Sequence, residues 1–404
     1  MIDTHLFEFP LSLILALALL VCIFIFRQYT AGGFPASRRL SLPFMLILSA
    51  LLAVEGTWSL GLFHHWTFIV IIVIALMILG ITSFNDFSHK SLSAFLSHSG
   101  LFLILFGGLF GAPDCTDVLI KVYEDGSADH IAIDTKGNAV PLPFSISLED
   151  FRVDCYKDGT SPKQYTSTLS IDGKTLQTSV NHPCRYRGYS IYQSGYDIDS
   201  GHYSVLKIVR DPWLPVVAFG MLMLLLGAIL SLKAVWGNKK LLLAALSLSV
   251  LFALISLARI SFGTLPPALR SLWFAPHLTA YMLAYSMLAL AVIAGFASLL
   301  LAKIPENLSA KLLSSASSLL LIGMMCGAVW AKQAWGDFWT WDPKECWAAV
   351  TSLLTLAGTH VPKKNLKFTF IITAFIAMQM TWYGVNYLPS SAHSLHTYNL
   401  ENSR

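Results

Sequence analysis

The sequence predicts a polytopic α-helical membrane protein of about ten transmembrane helices, with a small β-rich extracytoplasmic domain. Three observations predict it. Of 404 residues, 55% are hydrophobic and only 12% charged, about half the charge of an ordinary soluble domain. Ten apolar runs approach the about 20 residues that a helix needs to cross a bilayer. A single polar block, about 112–212, interrupts them. The net charge of +4 is small and scattered, which argues against a nucleic-acid partner.

In chain order, the runs lie at roughly 10–26, 42–61, 66–82, 92–111, 213–234, 241–258, 276–301, 312–331, 347–361 and 368–388. The first resembles a signal peptide in length but has no basic leader and no small-residue cleavage site, so it reads as a span. Basic residues set the orientation. One set of connections holds Arg27, Arg38, Arg39, Lys90, Lys233, Lys239, Lys240, Lys303, Lys311, Lys363, Lys364 and Lys367; the opposite short connections hold Arg259, Arg270, Lys332 and Lys344. The first set is then cytoplasmic, and both termini and the polar block lie outside. Within that block, alternating runs such as Ser145-Ile-Ser-Leu148 and Tyr189-Ser-Ile-Tyr192, separated by Gly159, Asp172-Gly173 and Gly188, read as a small antiparallel β domain. The expected division is 1–111 for the N-terminal spans, 112–212 for the β domain, 213–260 for connecting spans and 261–404 for a C-terminal domain. The six cysteines form no CxxC pair and no zinc spacing. Cys115, Cys155 and Cys184 fall in the outer block, where one disulfide at most is open to them.

The segment 335–347 holds Trp335, Trp339, Trp341 and Trp347 among small and charged residues. It makes a poor span and a poor soluble helix, but a good aromatic floor at the outer surface for a large planar ligand. Tryptophans also gather at membrane interfaces as anchors, which accounts for Trp58, Trp66, Trp213 and Trp382. An anchoring belt gives no reason for Trp339, Trp341 and Trp347 to stand beside Asp342, Lys344 and Glu345. His277 opens the seventh span and His393 follows the tenth, both on the side of the tryptophans. Neutral imidazole is a standard axial ligand of haem iron, although each histidine alone reads equally well as an interfacial residue satisfied by water. His98, two turns inside the fourth span, and His360, closing the ninth, match in depth toward the cytoplasm and suggest a second haem site. Ionisable groups at such depth are costly and mark function. His64 and His65 compete with His98 but lie at the outer end of the third span. His5, His89, His130, His182 and His202 read as surface or loop residues, and Glu55, deep in the second span, has no role visible in the sequence.

The run Trp335-Gly-x-x-Trp339-x-Trp341-Asp342-x-Lys344-Glu345 resembles the "WWD" signature of haem-handling proteins in cytochrome c biogenesis. Trp347 follows Glu345 after Cys346 alone, as in the system II branch. Around it, Pro266-Pro-Ala-Leu-Arg-Ser-Leu-Trp273 before Pro276-His277, the ungapped run to His360, and Gly384-Val-Asn-Tyr before His393 resemble the CcsA (ResC) family over about 265–398. His396, in Leu395-His-Thr-Tyr398, fits the local ending after a three-residue shift; His393 aligns without a gap and is preferred. The first half resembles CcsB (ResB). Its matching pieces are Glu55-Gly-Thr, the run 64–68, His98-Ser-Gly-Leu, Pro143-Phe-Ser-Ile-Ser-Leu-Glu-Asp-Phe, Val180-Asn-His-Pro and Gly188-Tyr-Ser-Ile-Tyr-Gln. The whole chain therefore resembles a CcsB–CcsA fusion with a short outer domain.

The resemblance implies a multi-pass protein of a bacterial inner membrane, with the 112–212 domain on the periplasmic side. It implies a cytochrome c haem lyase, or synthetase. Haem b enters at His98 and His360 and is ligated outside by His277 and His393. Trp335, Trp339, Trp341 and Trp347 form the platform, and Asp342 orders the loop. The partner is apocytochrome c, whose CxxCH motif receives the thioether bonds, with thiol-reducing proteins as further partners. Two alternatives stay open: a haem transporter or chaperone that serves a separate ligase, and a bis-histidine quinone oxidoreductase.

Overall fold

The computed structural model describes residues 8–30, 35–197, 202–236, 239–257, 264–300, 307–394 and 396. His5, Arg259 and Lys303, and the side chains of His64 and His393, lie outside the described residues. Four helices come first: α1 (Leu11–Thr30), α2 (Pro35–Trp58), α3 (Trp66–Ser88) and α4 (Leu92–Gly111). Eight strands follow, β1 (Thr116–Tyr123), β2 (Asp129–Asp134), β3 (Ala139–Cys155), β4 (Pro162–Ile171), β5 (Lys174–Ser179), β6 (Cys184–Tyr186), β7 (Tyr189–Tyr196) and β8 (Tyr203–Arg210). Then come α5 (Leu214–Trp236), α6 (Lys239–Leu257), α7 (Phe274–Leu300), α8 (Asn307–Trp335), α9 (Pro343–His360) and α10 (Lys364–Trp382).

Each expected apolar run thus overlaps a helix. By length and hydropathy, six helices among the described residues can cross a membrane: parts of α2, α3, α4, α5, α7 and α8. The chain is a multi-pass membrane protein on those six, and the count of ten spans remains a reading of the sequence. α9 falls short because it begins with Pro343-Lys-Glu345 and ends on His360, and it also carries hydroxyls where it meets protein. Thr351, Ser352 and Thr355 are buried and bond back to Trp347 O, Ala348 O and Thr351 O at 2.6–2.9 Å. Such back-bonding lets hydroxyls enter an apolar bundle without unmet donors.

The bundle centres on α7 and α8, whose span windows are 67% and 61% buried against 22% for those of α2, α3 and α4. Ala284, Ala291, Ala316 and Ala374 are fully buried between α7, α8 and α10, and small side chains let helices approach closely where lipid supplies no hydrophobic drive. α4 and α5 use the same device. A Cβ added at Gly100 would stand 2.4 Å from Leu224 N, and one at Gly220 2.8 Å from Gly100 O.

These two helices carry the β domain. Its strands form one antiparallel sheet in the order β5-β4-β3-β2-β1-β8-β7-β6. β1 pairs with β8 from Thr116↔Arg210 to Tyr123↔Tyr203, so the α4–α5 pair continues directly into the sheet. At the neck, Asp114 accepts from Trp213 Nε1 at 2.8 Å, Phe9 N at 2.8 Å and Ser12 Oγ at 3.1 Å. Alternation along β1 buries Val118, Ile120 and Val122 with Ile146, Leu148, Leu169, Ile191, Leu206 and Ile208. All six cysteines are free thiols. Burial pushes Cys115 and Cys184 up to about 11, so both stay protonated at neutral pH.

Gly100→Leu is expected to force α4 and α5 apart at a cost of about 1–3 kcal/mol, read as a lower melting temperature of the detergent-purified chain. An unchanged melting temperature would contradict the packing described.

Candidate functional site

The site is built around the start of α9. The first turn of any helix leaves N–H groups without intrahelical partners, and Asp342-Pro-Lys-Glu345 answers them locally. Asp342 Oδ1 accepts from Lys344 N at 2.8 Å, and Glu345 Oε2 accepts from Asp342 N at 3.2 Å, a reciprocal capping box with Pro343 at the first helical position. Glu345 Oε2 also takes Thr340 N at 2.8 Å and Thr340 Oγ1 at 3.3 Å. Trp341, between them, is held at φ +61°, a left-handed conformation that a bulky residue keeps only when its surroundings fix it.

Aromatic neighbours supply that fixing. The Trp341 ring stacks on Phe63 at 3.9 Å and meets Phe68 and Trp339 edge-on at 5.1 and 6.0 Å. Phe63 stands in the α2–α3 connection, which buried Glu55 shapes by accepting Gly61 N and Leu62 N at 3.0 Å each. Glu55, silent in the sequence, is thereby explained as the brace of that connection.

On the other flank, Trp330 is a centre that the sequence did not reveal. Its Nε1 donates to Ala268 O at 2.8 Å, and its ring lies 5.2 Å from Phe274, 5.7 Å from His277, 5.4 Å from Trp335 and 6.1 Å from His396. A five-residue step back from Trp335 along α8 was the signal available. His277 Nδ1 lies 2.8 Å from Gly323 O, so Nδ1 donates and Nε2 is the nitrogen left to ligate, the orientation that second-sphere bonds give metal-binding histidines. Gly327 makes room for this ring, since a Cβ there would stand 2.6 Å from His277 Nδ1.

His396 completes the group. Its Nδ1 is 3.3 Å from Asp342 Oδ1, its ring is 5.4 Å from Trp335, and Ser394 Oγ donates to the same Asp342 oxygen at 3.1 Å. Burial pushes the Asp342 carboxyl up, but His396, the Lys344 amide and the Ser394 hydroxyl outweigh it and hold it below the usual carboxylate value. Asp342 is therefore an anion at neutral pH. The structure thus brings together His277, Trp330, Trp335, Asp342 and His396, with Trp339 and Trp341 adjoining through the capped segment. His393, preferred in the sequence, ends the 3-10 turn Pro389–His393; the histidine described beside the tryptophans is His396. The Nε1 atoms of Trp339 and Trp347 are buried without a hydrogen-bond partner in the structure, donors that a ligand bearing acceptors would satisfy.

The deeper histidines sit elsewhere. His98 on α4 holds Asp86 of α3 at 2.6 Å through Nδ1, again leaving Nε2. His360 Nδ1 is tied to Leu356 O at 2.8 Å. α4 packs chiefly on α5 and α3, and α9 on α10 and α2, so the two histidines stand in different helix groups. His65 caps α3 by accepting from Thr67 N, a structural role.

Residues 88–203 match the ResB-like family, and residues 213–393 match the cytochrome C assembly protein family. A cytochrome c biogenesis protein CcsA of Gloeobacter violaceus is 35% identical over 99 residues, 23% of this chain and 29% of that protein. Its namesake in Guillardia theta is 29% identical over 191 residues, 35% of this chain and 63% of that protein. The one in Mesostigma viride is 31% identical over 173 residues, 32% of this chain and 57% of that protein. The match thus spans less than two thirds of each of these relatives' length.

Glu345→Ala removes the acceptor of three donors, and a loss of about 1–3 kcal/mol is expected. It should appear as a lower melting temperature together with red-shifted tryptophan emission as water reaches Trp339 and Trp341. Unchanged emission would show that the capping box does not hold the segment.

Proposed function

We propose that the chain, whose residues 88–203 match the ResB-like family and 213–393 the cytochrome C assembly protein family, is a fusion of the ResB–CcsA type that serves cytochrome c biogenesis as a haem lyase. The observation that carries this reading is the convergence of His277 and His396 on Trp330, next to a tryptophan segment held by Asp342 and Glu345. Haem b is the substrate. His277 and His396 would ligate its iron, with His393 as the neighbouring alternative to His396. Trp335, Trp339, Trp341 and Trp347 support the porphyrin. Asp342 orients His396. On this reading the site and the 116–210 sheet face the periplasm of a bacterial inner membrane.

Apocytochrome c brings the Cys-x-x-Cys-His motif. Each thiol adds across one haem vinyl group: a carbon–sulfur bond forms, the thiol proton ends on the other vinyl carbon, and the C=C bond becomes single. No oxidant is consumed. The residues assembled here include no general base for the thiol, so the contribution is orientation, which lowers barriers by up to about 7–11 kcal/mol where reacting groups are held in line. His98 and His360 are proposed to receive haem from the cytoplasmic side, with Asp86 fixing the ring of His98. Their places in separate helix groups fit a haem lying between helices better than a direct contact.

The detergent-purified chain is expected to show the sharp reduced bands of bis-histidine b-type haem. His277→Ala and His396→Ala should each weaken those bands and make them respond to added imidazole, while His393→Ala leaves them largely intact. A chain without haem after expression in haem-replete cells, or bands indifferent to His277, would overturn the assignment. Haem bands that persist unchanged while cells mature cytochrome c normally in the His277→Ala, His396→Ala double variant would do so as well.

A further inference from the structure

The outer sheet touches the tryptophan segment at one corner. Tyr192 of β7 pairs in register with Lys207 of β8, and Ser190 with Val209, so Tyr192, Lys207 and Val209 share one face. Gly336 lies on that face: a Cβ there would stand 3.3 Å from both Tyr192 and Val209, at a backbone φ of +88°. Lys207 Nζ then lies 3.0 Å from Asp117 Oδ2 on β1 and 2.5 Å from Asp337 Oδ2 in the segment. Its side chain is 16% exposed and the two carboxylates about a third exposed. Asp117 alone would satisfy the lysine inside the sheet. Asp337 instead draws the same cation across the boundary, and without it two carboxylates would face each other at a half-buried junction. Asp337 is two residues from Trp339, and the capping box fixes the far end of the same stretch. Trp339, with its orphan Nε1, hangs between these two anchors.

We propose that Lys207 is a positioning residue, which sets the stand of the tryptophan segment against the outer sheet by bridging Asp117 and Asp337. The sheet grips the other arm of the site as well. Asn181, in the β5–β6 turn, donates to Pro267 O at 2.9 Å and Ala268 O at 3.2 Å, and Ala268 O is the acceptor of Trp330. Arg270 donates to Lys163 O at 3.1 Å. Lys207 reaches the segment through charge, which makes it separable from the packing of Tyr192 and Val209 on Gly336. This rests on the haem reading only for what the segment finally holds.

The test uses the purified full chain as wild type, Lys207→Met, Lys207→Arg, Asp337→Asn and the exchanged pair Lys207→Asp/Asp337→Lys. Cys346 reports the segment, being fully buried with its thiol 3.4 Å from Trp341 O; Cys184 reports the sheet. Alkylation by a maleimide is followed at each cysteine by peptide mass. Lys207→Met and Asp337→Asn should raise the Cys346 rate roughly tenfold, the shift that about 1.4 kcal/mol of lost coupling gives, with Cys184 unchanged. Lys207→Arg and the exchanged pair should return Cys346 toward the wild-type rate. A Cys346 rate indifferent to Lys207 and Asp337 would overturn the proposal, and so would a rise shared equally by Cys184, which marks loss of the sheet. Haem spectra taken on the same samples separate the two readings. Wild type without haem defeats the lyase assignment and leaves the alkylation result to decide Lys207. Wild type with haem, and Cys346 rates equal in all variants, defeats Lys207 alone.

Discussion

The tryptophan segment depends on how α9 begins. Its first turn needs acceptors, and Asp342 and Glu345 provide them within four residues. Glu345 thereby folds Thr340 and Trp341 back onto the helix start, and this is what turns a tryptophan-rich stretch into a defined surface. Asp342 has capacity left over, and it uses that capacity on Ser394 and His396. One carboxylate therefore ties together the helix start, the aromatic segment and the chain after α10. A short polar side chain at a helix cap costs little to place; here the same placement also fixes a histidine.

Three parts of the chain meet at that segment. The α2–α3 connection supplies Phe63 and the first turn of α3 supplies Phe68 against Trp341. α7 and α8 supply His277 and Trp330, with Gly327 leaving space for the His277 ring. The sheet, standing on α4 and α5, reaches in through Lys207 and Asn181. The two halves are therefore joined by more than a continuous backbone: the aromatic segment, inside the 213–393 match, meets Phe63, Phe68 and Lys207, which precede that match. A partner made as a separate chain would have to recreate these contacts by association, whereas fusion keeps them at a high effective concentration.

Much of the fold was legible in the sequence because its signals are long. Twenty-residue apolar runs and period-two alternation survive local irregularity, and they located the helices and the β domain. Boundaries were less legible. α9 starts at Pro343 rather than near Trp347 because a capping box outranks hydropathy there. At the site, the tryptophan segment, Asp342 and His277 could be read from composition and order. Trp330 could not, because a lone tryptophan inside an apolar run looks like any anchor; its role comes from Ala268 and His277, 62 and 53 residues earlier. His396 was weighed against His393 on alignment alone; what the structure adds is its place 3.3 Å from Asp342. Glu55 was unreadable for a similar reason: its partners are backbone amides of a turn, which no side-chain pattern announces.

That the outer site attaches haem to polypeptide, rather than handing it on or cycling electrons, is tested most directly by reconstitution. The purified chain in lipid is given reduced haem and a peptide carrying Cys-x-x-Cys-His under thiol-reducing conditions, and the peptide is examined for covalently attached haem. The lyase reading predicts a thioether-linked product that forms with the wild type and requires both peptide cysteines. Haem that stays bound or exchanges freely, while the peptide remains unmodified, would contradict it.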